Sequence, residues 1–184
     1  MICVFETTIK TKDGREVFVR EPKENDLKKV WKFICKQITD SDADGLGRNE
    51  PPSLEEEKKW FSNLIDGIKN KKRIYLVLEH DGKVVGSTEI ERKTGRQRHI
   101  AGFGIVIDKE FRRQGLGTRA IPIIIDLARE RMEGLKIVFL EAFSYNEGAQ
   151  KLYEKSGFKK VAVLPDSCLN KGKLYDKLVM YYYL

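Results

Sequence analysis

The sequence predicts one mixed α/β domain, on three observations. Apolar residues recur at helical spacing in four stretches. Between those stretches they alternate, or run continuously over strand-length segments bounded by Asp-Gly and Thr-Gly turns. No repeat, low-complexity segment or interdomain linker divides the 184 residues, so 1–184 reads as a single domain, long enough to bury a substantial core.

The elements follow in order. "TIKTKDGREVFVRE" reads as two short strands about an Asp13-Gly14 turn, the second running from Val17 to Arg20. "NDLKKVWKFICKQI" sets Leu27, Val30, Trp31, Ile34 and Ile38 at helical spacing, with Asn25 or Asp26 as the cap. Residues 39–52, "TDSDADGLGRNEPP", are turn-forming throughout. Asp40, Asp42, Asp44 and Gly45 imitate the start of a calcium loop, but Pro51 stands where the closing carboxylate belongs, which excludes an EF-hand. Helix resumes in "SLEEEKKWFSNLIDGI", where Ser53 and Glu56 form a capping box. From Arg73 three strands follow, joined by Asp81-Gly82 and Thr94-Gly95 turns. "LGTRAIPIIIDLARERM" is an apolar helix with Pro122 in an early turn, "KIVFLEAF" a buried strand, and "NEGAQKLYEKSGF" a helix ending before Gly157. "KKVAVL" and "KLYDKLVMYYYL" supply two more strands.

Composition narrows the function classes. Apolar content of 41% with 34% charged residues describes an ordinary soluble protein. Lys and Arg number 35 against 28 acidic residues, a formal +7 that suits an anionic ligand or a diffuse basic surface equally. The basic runs "KNKKR" at 69–73 and "RKTGRQR" at 92–98 fall near turns and lack interleaved aromatics, which argues against a nucleic-acid-binding module. Cys3, Cys35 and Cys168 are far apart with no CxxC pair, so neither a disulfide framework nor a metal site is predicted, and the expected compartment is the reducing cytoplasm. Charge enters "MICVFETTIKTKDGREV" within a few residues, and nowhere do roughly 18 apolar residues run together, so neither export nor a membrane span is expected.

The stretch "EFRRQGLGTRAI" at 110–121 carries the chemistry. Two arginines, a glutamine and two glycines precede a helix start, where unpaired N–H groups and a partial positive charge make a site for an anion, phosphate above all. The strand "GFGIVID", then "RRQGLG", then a strand ending "LEAFSYN", then "AQKLYEKSGF" together resemble the GNAT superfamily of acyl-CoA-dependent N-acyltransferases. The family's pyrophosphate motif is Arg or Gln, two residues, Gly, one residue, then Gly or Ala. Arg112, Arg113, Gln114, Gly115, Leu116 and Gly117 match it at every constrained position. The resemblance covers roughly residues 15–184, with a motif core at about 73–164, and looks closest to the ribosomal-protein and polyamine acetyltransferase branches.

What the resemblance implies can be stated residue by residue. The fold would be a central mixed, mostly antiparallel, twisted sheet of about seven strands flanked by about four helices, with splayed central strands forming an acyl-CoA cleft. N–H groups from Arg113 to Thr118 would wrap the pyrophosphate, which side chains at Gly115 or Gly117 would block. Backbone at Ile105, Val106 and Ile107 would bond the pantetheine arm and hold the thioester carbonyl. Asn146 would contact the cofactor, and Tyr153 would protonate the departing thiolate. Read alone, Asn146 is also a helix cap and Tyr153 a core aromatic.

The proton acceptor is less constrained. Glu141, five residues before Asn146, occupies the position of the base in the ribosomal-protein alanine acetyltransferase branch. Strand alternation puts it on the face of Phe139 and Phe143, where desolvation would raise its pKa. Other branches place an acid on the preceding strand, and this sequence has none between His99 and Asp108, leaving Glu89, Glu91 or a relayed water as alternatives. The resemblance thus implies transfer of an acetyl group from acetyl-CoA to a primary amine, of a protein N-terminus, a lysine or a polyamine, in a ternary complex without metal. The acidic loop, through Asp42 and Asp44, would draw a cationic acceptor. A homodimer is common in the family, and "KLVMYYYL" at 177–184 suits either such an interface or a buried final strand.

Overall fold

The computed structural model describes residues 5–39 and 50–184, so the acidic loop at 40–45 lies outside the described residues. The first hairpin forms where the Asp13-Gly14 turn places it, as β1 (Glu6–Lys10) and β2 (Glu16–Arg20). Two helices follow, α1 (Leu27–Thr39) and α2 (Leu54–Lys69), the second opened by the expected reciprocal bonds between Ser53 and Glu56. Next come β3 (Arg73–His80), β4 (Lys83–Arg92) and β5 (Ile100–Ile107), then α3 (Leu116–Arg131) and β6 (Ile137–Phe143). The chain ends in α4 (Glu147–Lys155), β7 (Lys159–Asn170) and β8 (Lys173–Tyr183). α3 runs unbroken through Pro122, which is exposed, so the Thr118 carbonyl that loses its donor faces the solvent side.

All eight strands share one sheet, ordered β1-β2-β3-β4-β5-β6-β8-β7, and every neighbouring pair is antiparallel except β5 and β6. This is the mixed, mostly antiparallel architecture expected, with eight strands where about seven were anticipated. β8 is paired along both edges, to β6 and to β7, so the C-terminal apolar run is an interior strand.

Alternation along the strands sorts side chains into two layers. On one face α3, with Ile121, Ile124 and Ile125, packs on Leu76, Ile90, Ala101 and Val138. On the other, Val30 and Phe33 of α1 and Phe61 and Leu64 of α2 cover Tyr75 and Val77 of β3. The two layers are separate clusters, and the cleft opens between them at the far end of β5.

One polar contact ties the second layer to that end of β5. The Asp108 carboxylate, 4% exposed, accepts from Lys36 Nζ at 2.6 Å and Gln37 Nε2 at 3.3 Å on α1, and from the Glu110 N–H at 3.1 Å. Burial alone would raise this carboxyl, but the bonds from Lys36 and the Glu110 N–H outweigh it and hold the group below the usual carboxylate range. A depressed folded pKa gives stability that is present above the unfolded value of about 3.9 and lost as pH falls through the folded value. Asp108→Ala is therefore expected to cost about 2 kcal/mol in urea unfolding at pH 7. The gap from wild type should shrink as the pH is taken below about 4.

Candidate active site

β5 and β6 begin as a parallel pair and then part. Only Ile100, Ala101 and Gly102 are in register with Ile137, Val138 and Phe139. Which backbone groups the parting exposes follows from the two-residue period of the strand. The His99 carbonyl accepts from the N–H of Lys136 and Ile137, whereas the Ile100 carbonyl bonds Lys93 and the Asp108 N–H bonds Val85 on the β4 side. Odd-numbered residues thus direct their backbone toward β6 and even-numbered ones toward β4. Ile105 and Ile107 face the gap; Val106 does not, and its side chain packs with the α1–α2 layer. The Ile107 carbonyl is already taken by Arg112 Nε at 2.9 Å, which leaves Ile105 as the residue presenting both backbone groups to the gap. Of the three strand positions expected here, the geometry singles out one.

The loop that follows aims its amides at the same gap. Arg113 (φ 58) and Gly115 (φ 83) both adopt left-handed backbone, which turns successive N–H groups to one side, and Gly115 is the residue at which α3 starts. The N–H groups of Leu116, Gly117 and Thr118 begin the helix and so have no partner within it. Arg112 turns inward, with Nη2 3.4 Å from Gln37 Oε1, while Arg113 is exposed. Gly117 carries a packing constraint beside the one its motif suggests. It is buried, and a Cβ there would lie 2.6 Å from Leu152 Cδ2, so this glycine lets α4 approach α3. Gln114 spends its carbonyl on the Lys12 N–H at 3.0 Å.

Together these elements line a cleft of about 810 Å³ that also includes Asn146 and Tyr153. Asn146 is the cap of α4, its Oδ1 accepting from the Ala149 N–H at 3.0 Å. Tyr153 stands edge-on to Phe103, ring centres 6.1 Å apart, and to Phe158 at 6.0 Å. Burial pushes its phenol up to about 12, so it stays protonated across the neutral range.

The carboxylates lie on the other face of the sheet. Glu141 falls between Leu140 and Ala142, which belong to the α3 layer, so it points away from Tyr153, on the side of Phe139 and Phe143. Those rings do not enclose it: the side chain is 43% exposed and pairs with Lys177 Nζ at 2.6 Å. Glu89 of β4 is more enclosed. It pairs with Arg73 at 3.1 Å, sits directly opposite Gly104, and has Oε1 only 3.9 Å from where a Cβ on Gly104 would be. Desolvation raises its pKa, with the Arg73 charge opposing. Glu91 shares the same arginine at 3.2 Å.

Sequence reasoning missed three contributors. Gln37 is almost fully buried on the apolar face of α1, and a polar residue seven positions after Val30 on that stripe was the available signal. Arg73 was counted in a basic run, yet its charge is spent on Glu89 and Glu91. Lys12 lines the cleft, and nothing in its sequence neighbourhood marks it. Among the described residues, no group of His, Cys, Asp or Glu is placed to hold a metal ion, and no helix is long and apolar enough to cross a membrane.

Comparison with known proteins gives the family and the fold. Residues 36–158 match the model of the Acetyltransferase (GNAT) family. The chain is 36% identical over 93 residues to the probable N-acetyltransferase camello of Xenopus tropicalis, covering 50% of this chain and 42% of that protein. It is 30% identical over 124 residues to the L-amino acid N-acetyltransferase AaaT of Escherichia coli, covering 66% and 73% respectively. The chain spans less than half the length of the camello proteins it matches. Among solved structures, the ribosomal-protein-S5-alanine acetyltransferase of Vibrio fischeri superposes with a TM-score of 0.80 at 18% identity, over 97% of this chain and 96% of that one. The yncA protein of Salmonella typhimurium, solved with its cofactor acetyl-CoA, gives 0.78 at 18% identity, over 91% and 94%. The chain belongs to the Acetyltransferase (GNAT) family.

Proposed function

We propose that this protein is an N-acetyltransferase that moves an acetyl group from acetyl-CoA to a primary amine by direct attack in a ternary complex. The observation that carries the reading is the continuity of the β5–β6 gap with the amide-lined start of α3. A long ligand with a diphosphate at one end and a reactive carbonyl at the other fits both parts. Coenzyme A, when bound, supplies the acetyl thioester. The N–H groups from Arg113 to Thr118 would hold its pyrophosphate, and the Ile105 N–H would donate to the thioester oxygen as negative charge grows on it. Asn146 would border the pantetheine arm, and Tyr153, on the same face, would return a proton to the sulfur that leaves.

The amine would arrive on the opposite face, where Gly102 and Gly104 leave β5 bare between Glu89 and Glu91 on one side and Phe139 and Glu141 on the other. Before attack an ammonium must lose a proton. Glu89, desolvated and held by Arg73 beside Gly104, fits that step better than exposed Glu141, whose charge would help attract the cation. The relatives' printed acceptors are an amino acid and a ribosomal protein. The open aromatic face beyond Glu141, with Phe143 stacked on Tyr145 and Tyr145 edge-on to Tyr175, favours a protein or peptide amine, or a polyamine, over an enclosed small substrate.

Acetyl-CoA should raise the melting temperature of the wild-type protein where ATP and NAD do not, and Gly115→Glu should abolish that rise. Absence of stabilisation by any coenzyme A species would sink the reading. In steady-state assays, Tyr153→Phe is expected to lower kcat about 100-fold with little change in acetyl-CoA affinity. Because the folded pKa of Glu89 is raised, activity should rise with pH through that value, and Glu89→Gln should remove this acidic limb along with most of kcat. Glu141→Gln should act chiefly on the acceptor KM. The opposite split between the two variants would assign the base to Glu141.

A further inference from the structure

The β1–β2 turn is built against the amide loop. The Lys12 N–H donates to the Gln114 carbonyl at 3.0 Å, and Arg15 Nη2 donates to the Glu110 carbonyl at 3.1 Å. The Arg15 guanidinium lies 3.9 Å over the Phe111 ring. The Lys12 stem consequently runs along Gly115, with Cγ and Cε 3.8 and 3.9 Å from where a Cβ on that glycine would sit, and its side chain lines the cleft beside Arg113 and Thr118.

The charge at this position is uncompensated. The turn's own carboxylates are spent elsewhere, Asp13 on Arg15 at 2.7 Å and Glu16 on Lys10 at 3.3 Å. Among the described residues Lys12 forms no ion pair, and Arg113 and Arg119, which flank Gly115, form none either. Three cations held around one glycine, at a helix start that is already electropositive, repel one another unless an anion joins them. A diphosphate and a phosphomonoester of about −2 charge each are what coenzyme A brings to such a place.

We propose that Lys12, on the first hairpin and outside the glycine motif, is a phosphate-binding residue of the coenzyme A site. The proposal rests on the acetyl-CoA reading above and adds a recognition element to it. The hairpin serves as a clasp whose backbone is fastened to the loop at Gln114 and Glu110 while its one free ammonium reaches over Gly115. Either coenzyme A phosphate group, the pyrophosphate or the 3′-phosphate, offers the required oxygens.

Calorimetric titration of the full chain with coenzyme A and with 3′-dephospho-coenzyme A tests it, on wild type, Lys12→Gln and the same-hairpin control Lys10→Gln. Lys12→Gln should bind coenzyme A about five- to tenfold more weakly than wild type, and Lys10→Gln should match wild type. If the deficit disappears with the dephospho compound, Lys12 holds the 3′-phosphate; if it persists, Lys12 holds the pyrophosphate. Equal affinities of Lys12→Gln and wild type for both ligands would overturn the proposal while leaving the cofactor reading intact. Failure of wild type to bind either ligand would remove the cofactor reading and this inference with it.

Discussion

The parting of β5 from β6 after Gly102 is the constraint around which the rest is arranged. Buried backbone N–H and C=O groups without partners cost on the order of 1–3 kcal/mol each, so a sheet does not open in its middle without support. Here the support is explicit. Phe103 packs against Phe158, ring centres 5.6 Å apart, and against Tyr153, filling the α3 face beneath the opening. Arg112 satisfies the Ile107 carbonyl, and the Asp108 N–H returns the chain to β4. What stays open on β5 is the backbone at Ile105 and the Ile107 N–H, and the next helix in the chain is the one whose first amides face the same cleft.

Most of the fold was legible because most of it obeys a period. The helical spacing in α1 and α2, the Ser53–Glu56 box and the Asp-Gly turns each translate directly into the observed element. β7 shows where local reading stops. "KKVAVL" reads as a complete strand because Pro165 and Asp166 follow, and Asp166 does take left-handed backbone (φ 49). Yet the strand resumes to Asn170 after a register shift between Leu164 and Cys168, because long-range pairing with β8 overrides the local break. The site divides the same way. Gly115 was legible as a backbone requirement, whereas the need for Gly117 comes from Leu152, thirty-five residues away in sequence, which no local pattern shows. The environments of Glu141 and Glu89 depend on Lys177 and Arg73 from neighbouring strands, so their difference in exposure was beyond any reading of β6 or β4 alone.

Strand alternation also separates charge. Odd residues of β5 fill the α3 face with Phe103, Ile105 and Ile107, and the even residues Gly102 and Gly104 leave the other face bare. Around the helix start on the first face stand Lys12, Arg113 and Arg119; beside the bare glycines on the second stand Glu89, Glu91 and Glu141. The two faces are not equivalent electrically, because the carboxylates are partly neutralised by Arg73 and Lys177 whereas Lys12, Arg113 and Arg119 form no ion pair among the described residues. With a net +7, the long-range field therefore draws an anion and repels a cation. Attraction of an ammonium by the second face operates only within about a Debye length, roughly 8 Å at physiological salt. Added salt must then act oppositely on the two partners, weakening the anion's capture and easing the cation's approach. Under the proposed function, discrimination among amines would then fall to contacts over Gly102 and Gly104 rather than to steering.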